Sequence, residues 1–177
     1  MGANNTGDAV DLGIVASLTD NGSNLWPSLR SGSVVLGTKT LIITNASAIN
    51  DAFAGVISDS STGKVRLTGG TETFTGANTY RGGTTINGGS TLILSGSGTL
   101  GATTGSLTIT GATLDLRNSL TASTLTMSAS GATNPVIAHG DSSSSSLTIS
   151  GVSTLAGSVT TSGAQTYSGA VTLGGDL

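Results

Sequence analysis

The chain has 177 residues and a formal net charge of −3, and only 8% of its residues are charged and 3% aromatic. Glycine contributes 28 residues, and serine plus threonine make up about a third of the chain. That length suits one domain; the shortage of charge and aromatics argues against a compact mixed α/β enzyme, and a mean hydropathy of +0.22 against a charge-rich disordered tail.

Six Lys plus Arg against nine Asp plus Glu leave no basic field to gather phosphates, so no nucleic-acid partner is expected. No window approaches a membrane-spanning apolar run, and residues 1–6 lack the basic start of an export signal. An address for export, if there is one, lies outside this chain. The absence of cysteine excludes a disulfide framework and any thiolate metal site.

In chain order, residues 1–30 hold Asp8, Asp11, Asp20, Trp26 and Pro27 and show no repeat. They read as an irregular leading segment or an incomplete first rung. The three aspartates lack the spacing of a calcium loop, so they read as solvated loop residues and no metal is expected. Residues 31–177 form one repetitive unit, with first strands at 33–36 and 39–44. The best helical candidate is residues 45–54, which is short.

Repetition then dominates. Residues 75–86 align without gaps on residues 162–173 with six identities, at an offset of 87. Between them recurs a shorter unit: Thr91-Leu-Ile-Leu-Ser-Gly96, Ser106-Leu-Thr-Ile-Thr-Gly111, Thr124-Leu-Thr-Met-Ser128 and Ser146-Leu-Thr-Ile-Ser-Gly151. Each alternates apolar and polar residues at period two, as a half-buried strand does. Leu107, Leu125 and Leu147 recur at roughly twenty residues, so the longer offset is about four units. Short strands returning at that interval between Gly-, Ser- and Asn-rich corners predict a single-stranded parallel β-helix, a β-solenoid of about seven rungs and about 35 Å. Leu107, Leu125 and Leu147 should line one interior, with Thr and Ser outward and Gly at corners of positive φ.

Asn78, Asn87 and Asn118 fit bends, bonding local backbone or stacking into a ladder. Tyr80 and Tyr167, at equivalent repeat positions, fit packing over a corner with bonded hydroxyls. The serine run 142–146 reads as a protruding loop. The chain stops just after a strand with no polar cap, as a piece of a longer protein would.

Chemistry is sparse. Between residues 73 and 177 the acids are Asp115, Asp141 and Asp176. Asp115 and Arg117 share a strand face and read as a solvated ion pair before a catalytic one. A polysaccharide lyase or hydrolase would need a second carboxylate nearby, and an isolated Asp115 would remove that reading. His139-Gly-Asp141 lacks a nucleophile set by spacing. Gly96-Ser-Gly-Thr-Leu-Gly101 satisfies a dinucleotide fingerprint only formally, because a strand follows where a helix should open. No catalytic, cofactor-binding or metal residue is therefore assigned. Threonine pairs at 108/110, 124/126 and 71/73/75 raise an ice-binding alternative, against which the uneven rung length speaks.

The run from Thr71 to Leu94, which contains Thr75-Gly-Ala-Asn-Thr-Tyr-Arg-Gly-Gly-Thr-Thr-Ile86, closely resembles the passenger-associated strand repeat of bacterial autotransporters. Phe53-Ala-Gly-Val-Ile57 and Lys64-Val-Arg-Leu67 match its usual lead-in, so the resemblance covers residues 53–94 and, more weakly, 162–173. The later copy is also similar to repeats of filamentous haemagglutinin-like proteins. The resemblance implies a right-handed parallel β-helix on a Gram-negative cell surface, exported by a C-terminal membrane barrel that this chain does not contain. The expected role is a non-enzymatic stalk of an adhesin without cofactors. Its partners would be a host or neighbouring-cell surface, or a second copy through β-edge pairing.

Overall fold

The computed structural model describes residues 10–11, 17–20, 32–45 and 50–174, with side chains placed over 32–44 and 52–174. The described residues contain twenty strands and no helix. The chain opens with β1 (Val10–Asp11), β2 (Ser17–Asp20), β3 (Ser33–Val35), β4 (Thr40–Asn45) and β5 (Asn50–Phe53). It continues with β6 (Val56–Ser58), β7 (Lys64–Gly69), β8 (Thr71–Phe74), β9 (Thr84–Asn87) and β10 (Thr91–Leu94). Next come β11 (Ser106–Thr110), β12 (Thr113–Leu116), β13 (Leu120–Ala122), β14 (Thr124–Ser128) and β15 (Val136–Ala138). The last five are β16 (Leu147–Ile149), β17 (Ser153–Leu155), β18 (Ser158–Val159), β19 (Gln165–Tyr167) and β20 (Val171–Leu173).

All strand-to-strand ladders are parallel, and each strand pairs with strands one turn before and after it rather than with its neighbour in sequence. The result is a β-solenoid of about six turns, about 30 Å of stacked ladder. One face is an eight-stranded sheet, β2-β4-β7-β9-β11-β14-β17-β20; the second is six-stranded, β5-β8-β10-β12-β15-β18. The third is split into β1-β3-β6 and β13-β16-β19. The expected seven rungs become about six because some turns run well over twenty residues. The steps range from 18 residues, Leu107 to Leu125, to 28, Leu125 to Ser153.

Alternation in the strands sets the core. On the eight-stranded face one inward column runs Leu41, Val65, Thr84, Leu107, Leu125 and Ser153, and ends on Val171, which is exposed at the last described turn. A second runs Ile43, Leu67, Ile86, Ile109, Met127. Each fully buried aliphatic side chain contributes about 1.5–3 kcal/mol relative to exposure, so stability accumulates turn by turn. Phe53 and Phe74 stack in register on the second face with ring centroids 6.4 Å apart, edge to face.

Leu107, Leu125 and Leu147 line one interior as expected, but the rung step is corrected: Leu107 and Leu125 are direct partners, whereas Leu147 lies on the third face, paired with Leu120, and Ser153 is the residue above Leu125. Leu147 still lines the same core, fully buried. The shared Leu-x-Ile pattern marks a strand without saying which face it serves. The helical candidate 45–54 is instead strand at β5, paired with β8; residues 46–49 fall outside the described set. Within residues 1–30, β1 and β2 already pair in parallel with β3 and β4, while Trp26 and Pro27 lie outside the described residues.

The third face loses its strands between Ser58 and Leu120, where isolated backbone bonds still join the turns, Thr79 N–H to the Ile57 carbonyl (2.9 Å) and Ala102 N–H to the Tyr80 carbonyl (2.8 Å), and named side chains supplement them. Asn78 Oδ1 accepts from the Ile57 N–H of the turn before (2.8 Å), and its Nδ2 donates to the Thr99 carbonyl of the turn after (2.9 Å). Thr99 Oγ1 donates back to the Asn78 carbonyl at 2.6 Å. Tyr80 is fully buried, fills the interior, and shares a 2.6 Å hydrogen bond with Thr84 Oγ1.

Corner glycines have two separate causes. Gly37, Gly88 and Gly96 adopt positive φ, as a tight corner requires. Gly55 and Gly76 do not; they stack, and a Cβ on Gly76 would overlap the Gly55 carbonyl oxygen just as one on Gly55 would overlap that of Gly32. Here close approach of successive turns, not dihedral freedom, excludes every side chain.

Candidate functional site

Polar side chains gather most densely at the corner beyond β12 and β15. Asp115 points outward from β12, in register with Ala138. Residues 139–146, crossing from β15 to β16, then fold over it. The Gly140 N–H donates to Asp115 Oδ1 at 2.7 Å, and a Cβ on Gly140 would collide with that carboxylate. Arg117 Nε and Nη2 each reach Asp115 Oδ2 at 2.9 Å. Asp115 is consequently buried, at 7% exposure, so the expectation of a solvated ion pair is corrected: the next turn covers it.

Asp141 lies on the other side of the same guanidinium, 3.8 Å from Arg117 Nε. Its Oδ1 accepts from the Ser143 N–H at 2.9 Å and from the Ser143 hydroxyl. Ser143 Oγ is also 2.6 Å from the Arg117 carbonyl, so one hydroxyl proton serves two acceptors. The Ser143 hydroxyl first, then its backbone N–H, hold the Asp141 carboxyl below its ordinary value, with Arg117 and His139 adding to the effect against desolvation.

His139 Nδ1 is 2.9 Å from the Leu116 carbonyl and 3.1 Å from Ser145 Oγ. A carbonyl only accepts, so Nδ1 carries the proton, and Ser145 receives it rather than surrendering one. Ser145 is 1% exposed and meets the turn after it, its N–H donating to Ser162 Oγ at 2.8 Å. A His-activated serine nucleophile does not fit this geometry. Glycoside cleavage by a carboxyl pair needs one member kept protonated near neutrality. Asp141 is pushed the other way, and both Asp115 oxygens are engaged by donors. Asp115 is nonetheless not isolated, since Arg117 links it to Asp141.

The remaining sequence candidates scatter. Asn78 bridges turns as described; Asn118 Nδ2 donates to the carbonyls of Gly98 (2.7 Å) and Gly96 (3.2 Å) one turn earlier. Asn87 lies at the end of β9 on the eight-stranded face, one turn before Asp115 and outside its corner. Tyr167 is only partly buried, its hydroxyl donating to Gln165 Oε1 at 3.2 Å, unlike Tyr80. Gly96 and Gly101 are corner residues of positive φ with strand β11 following. Asp8 and the side chains of Asp11 and Asp20 lie outside the described residues. Of the threonine pairs, 108/110 and 124/126 fall on the eight-stranded face, whereas Thr71 and Thr73 belong to β8 on the second.

Among the described side chains, sequence reasoning passed over two acids. Asp59, with a fully buried side chain, accepts at Oδ2 from the N–H groups of Gly63 (2.7 Å) and Arg81 (2.8 Å), and Arg81 Nη1 lies 3.0 Å from Oδ1. An aspartate opening the Asp-Ser-Ser-Thr-Gly corner was the available signal. Glu72 takes an inward place on β8, in register with Leu92, and is fully buried. Among the described residues, no three His, Cys, Asp or Glu side chains gather as a metal site.

The fold defines a parallel β-solenoid protein whose outer polar groups tie one turn to the next. No protein-family model, curated protein or solved structure matches the chain.

Proposed function

We propose that this chain is a structural segment, the β-solenoid stalk of a surface-exposed, autotransporter-like adhesin, without catalysis of its own. Its localisation would be the outside of a Gram-negative cell, held there by a membrane barrel encoded elsewhere. One observation supports this reading beyond the resemblance in residues 53–94. Asp59, Asn78, Asn118 and Ser143 each spend hydrogen bonds on an adjacent turn. Side chains used this way stiffen a rod against slippage between turns, which serves mechanical reach.

Placing the chain between an outer-membrane barrel and a terminal epitope tests the proposal. Antibody access to the epitope on intact cells should rise with the chain present and fall when whole turns are excised, for example residues 107–124, a step in register. Access that is equal with and without the chain defeats it. A second reading, a polysaccharide-cleaving enzyme, draws on the convergence of Asp115 and Asp141 on Arg117. Depolymerisation of an acidic glycan that vanishes in Asp141→Asn would favour that reading over the stalk.

A further inference from the structure

The uneven rung length that argued against a regular threonine face is absorbed entirely at the corners. On the eight-stranded face Thr85, Thr108, Thr126, Thr154 and Thr172 are successive partners, although the steps between them differ by up to ten residues. The only register shift described on this sheet lies earlier, between Ile43 and Thr44. Flanking positions add hydroxyls in the same rows: Ser106 beside Thr124, and Thr110 beside Ser128. From β9 to β20 none of these strands carries a charged or aromatic residue.

A second observation separates the central column from its flank. Thr110 and Ser128 satisfy each other at 3.0 Å, and Thr44 and Thr68 do so at 2.8 Å. The hydroxyls of the five central threonines make no hydrogen bond to protein and are left for water. Successive turns set them about 4.8 Å apart, near one of the oxygen repeats of hexagonal ice, and on β11 and β14 flanking hydroxyls stand two residues away, Ser106 and Thr110 about Thr108 and Thr124 and Ser128 about Thr126, about 6.6 Å along the strand. Threonine is stiff at χ1, so the hydroxyls and methyls are ordered before any ligand arrives.

We infer that this face binds ice. The column of free hydroxyls anchors a layer of water in lattice register, and the methyls between them exclude water that is out of register. From β9 onward the face lacks aromatic platforms, which makes it a poor match for crystalline polysaccharide, and lacks charge, which favours a solid, uncharged ligand; Arg66 of β7, in register with Thr85, bounds that uncharged stretch. This inference is independent of the stalk proposal, and its failure would leave that proposal standing.

The purified full chain should be enriched several-fold in a slowly grown ice fraction relative to an inert protein, and should shape ice crystals. Thr126→Tyr and Thr108→Tyr should each bring enrichment down to the inert level, whereas Thr148→Tyr, on the third face, should leave it unchanged. Circular dichroism identifies any variant that fails to fold, and two variants on the face guard against losing one. No enrichment of the unmodified chain overturns the inference, as does equal loss in a folded Thr148→Tyr. A concentration-dependent dimer that Thr126→Tyr disperses, without ice enrichment, also overturns it and assigns the face to a second copy.

Discussion

The eight-stranded face and the interrupted third face hold successive turns together by different means. On the first, from β9 onward, the backbone ladder runs without a register shift and outward positions repeat Thr and Ser. On the third, between Ser58 and Leu120, strands lapse to isolated backbone bonds, Asn78 and Thr99 add side-chain bonds from turn to turn, and Tyr80 fills the interior. The contrast teaches that periodic pairing makes individual side chains exchangeable, while an interruption makes each one singular.

The largest expected effect tests that directly. Tyr80→Ala removes a fully buried ring and a hydrogen-bonded hydroxyl, and should cost about 3–5 kcal/mol in denaturant melts. Tyr167→Ala, at the equivalent repeat position but partly exposed, should cost clearly less; equal losses would break the comparison. Next, Asn78→Leu leaves the Ile57 N–H and the Thr99 carbonyl without partners, at about 1–3 kcal/mol for each stranded group. Hydrogen exchange should show the Ile57 amide losing protection while amides of β11 and β14 keep theirs.

Two pH responses sharpen the contrast further. Burial pushes the Tyr80 phenol well above its ordinary 10.0. Its contribution is therefore complete below pH 10 and declines as pH rises beyond it. Spectrophotometric titration should show Tyr167 ionising first and Tyr80 only as the fold opens. Asp141 behaves oppositely: its carboxyl is held below 3.8, so what it contributes is present above that value and is lost as pH falls through the lowered range. Acidification should release the Ser143 amide before those of the ladders. The smallest effect belongs to the eight-stranded face, where Thr126→Val should shift stability by no more than about 0.5 kcal/mol in thermal melts.

What could be read from sequence follows the same division. Alternation in Ser106-Leu-Thr-Ile-Thr110 and Thr124-Leu-Thr-Met-Ser128 revealed strand, orientation and pairing, because one face is buried and the period is fixed. The 87-residue offset proved to be four turns, since Thr84 reaches Val171 through Leu107, Leu125 and Ser153. Leu147 was rightly placed in the interior but counted as the next step after Leu125, because three faces share one pattern and only the corners distinguish them. Asp115 looked exposed by alternation on its own strand; its cover comes from Gly140, a turn later, and only the third dimension brings that glycine to it. The roles of Asn78 and Tyr80 were legible as corner packing but not as reinforcement of an interrupted ladder, because the lapse itself has no local signature.

Length variation confined to the corners has a consequence for how such a chain can change. Insertions or deletions at a vertex, such as residues 129–134, which are exposed and hydrogen-bonded to themselves through Ser130 and Thr133, are invisible to the strands on either side and can accumulate freely in lineage or in the laboratory. A single-residue indel within β11 would turn its inward side chains to solvent and its outward ones to the core. The corners are thus where novelty can enter, and the strands are where it is refused.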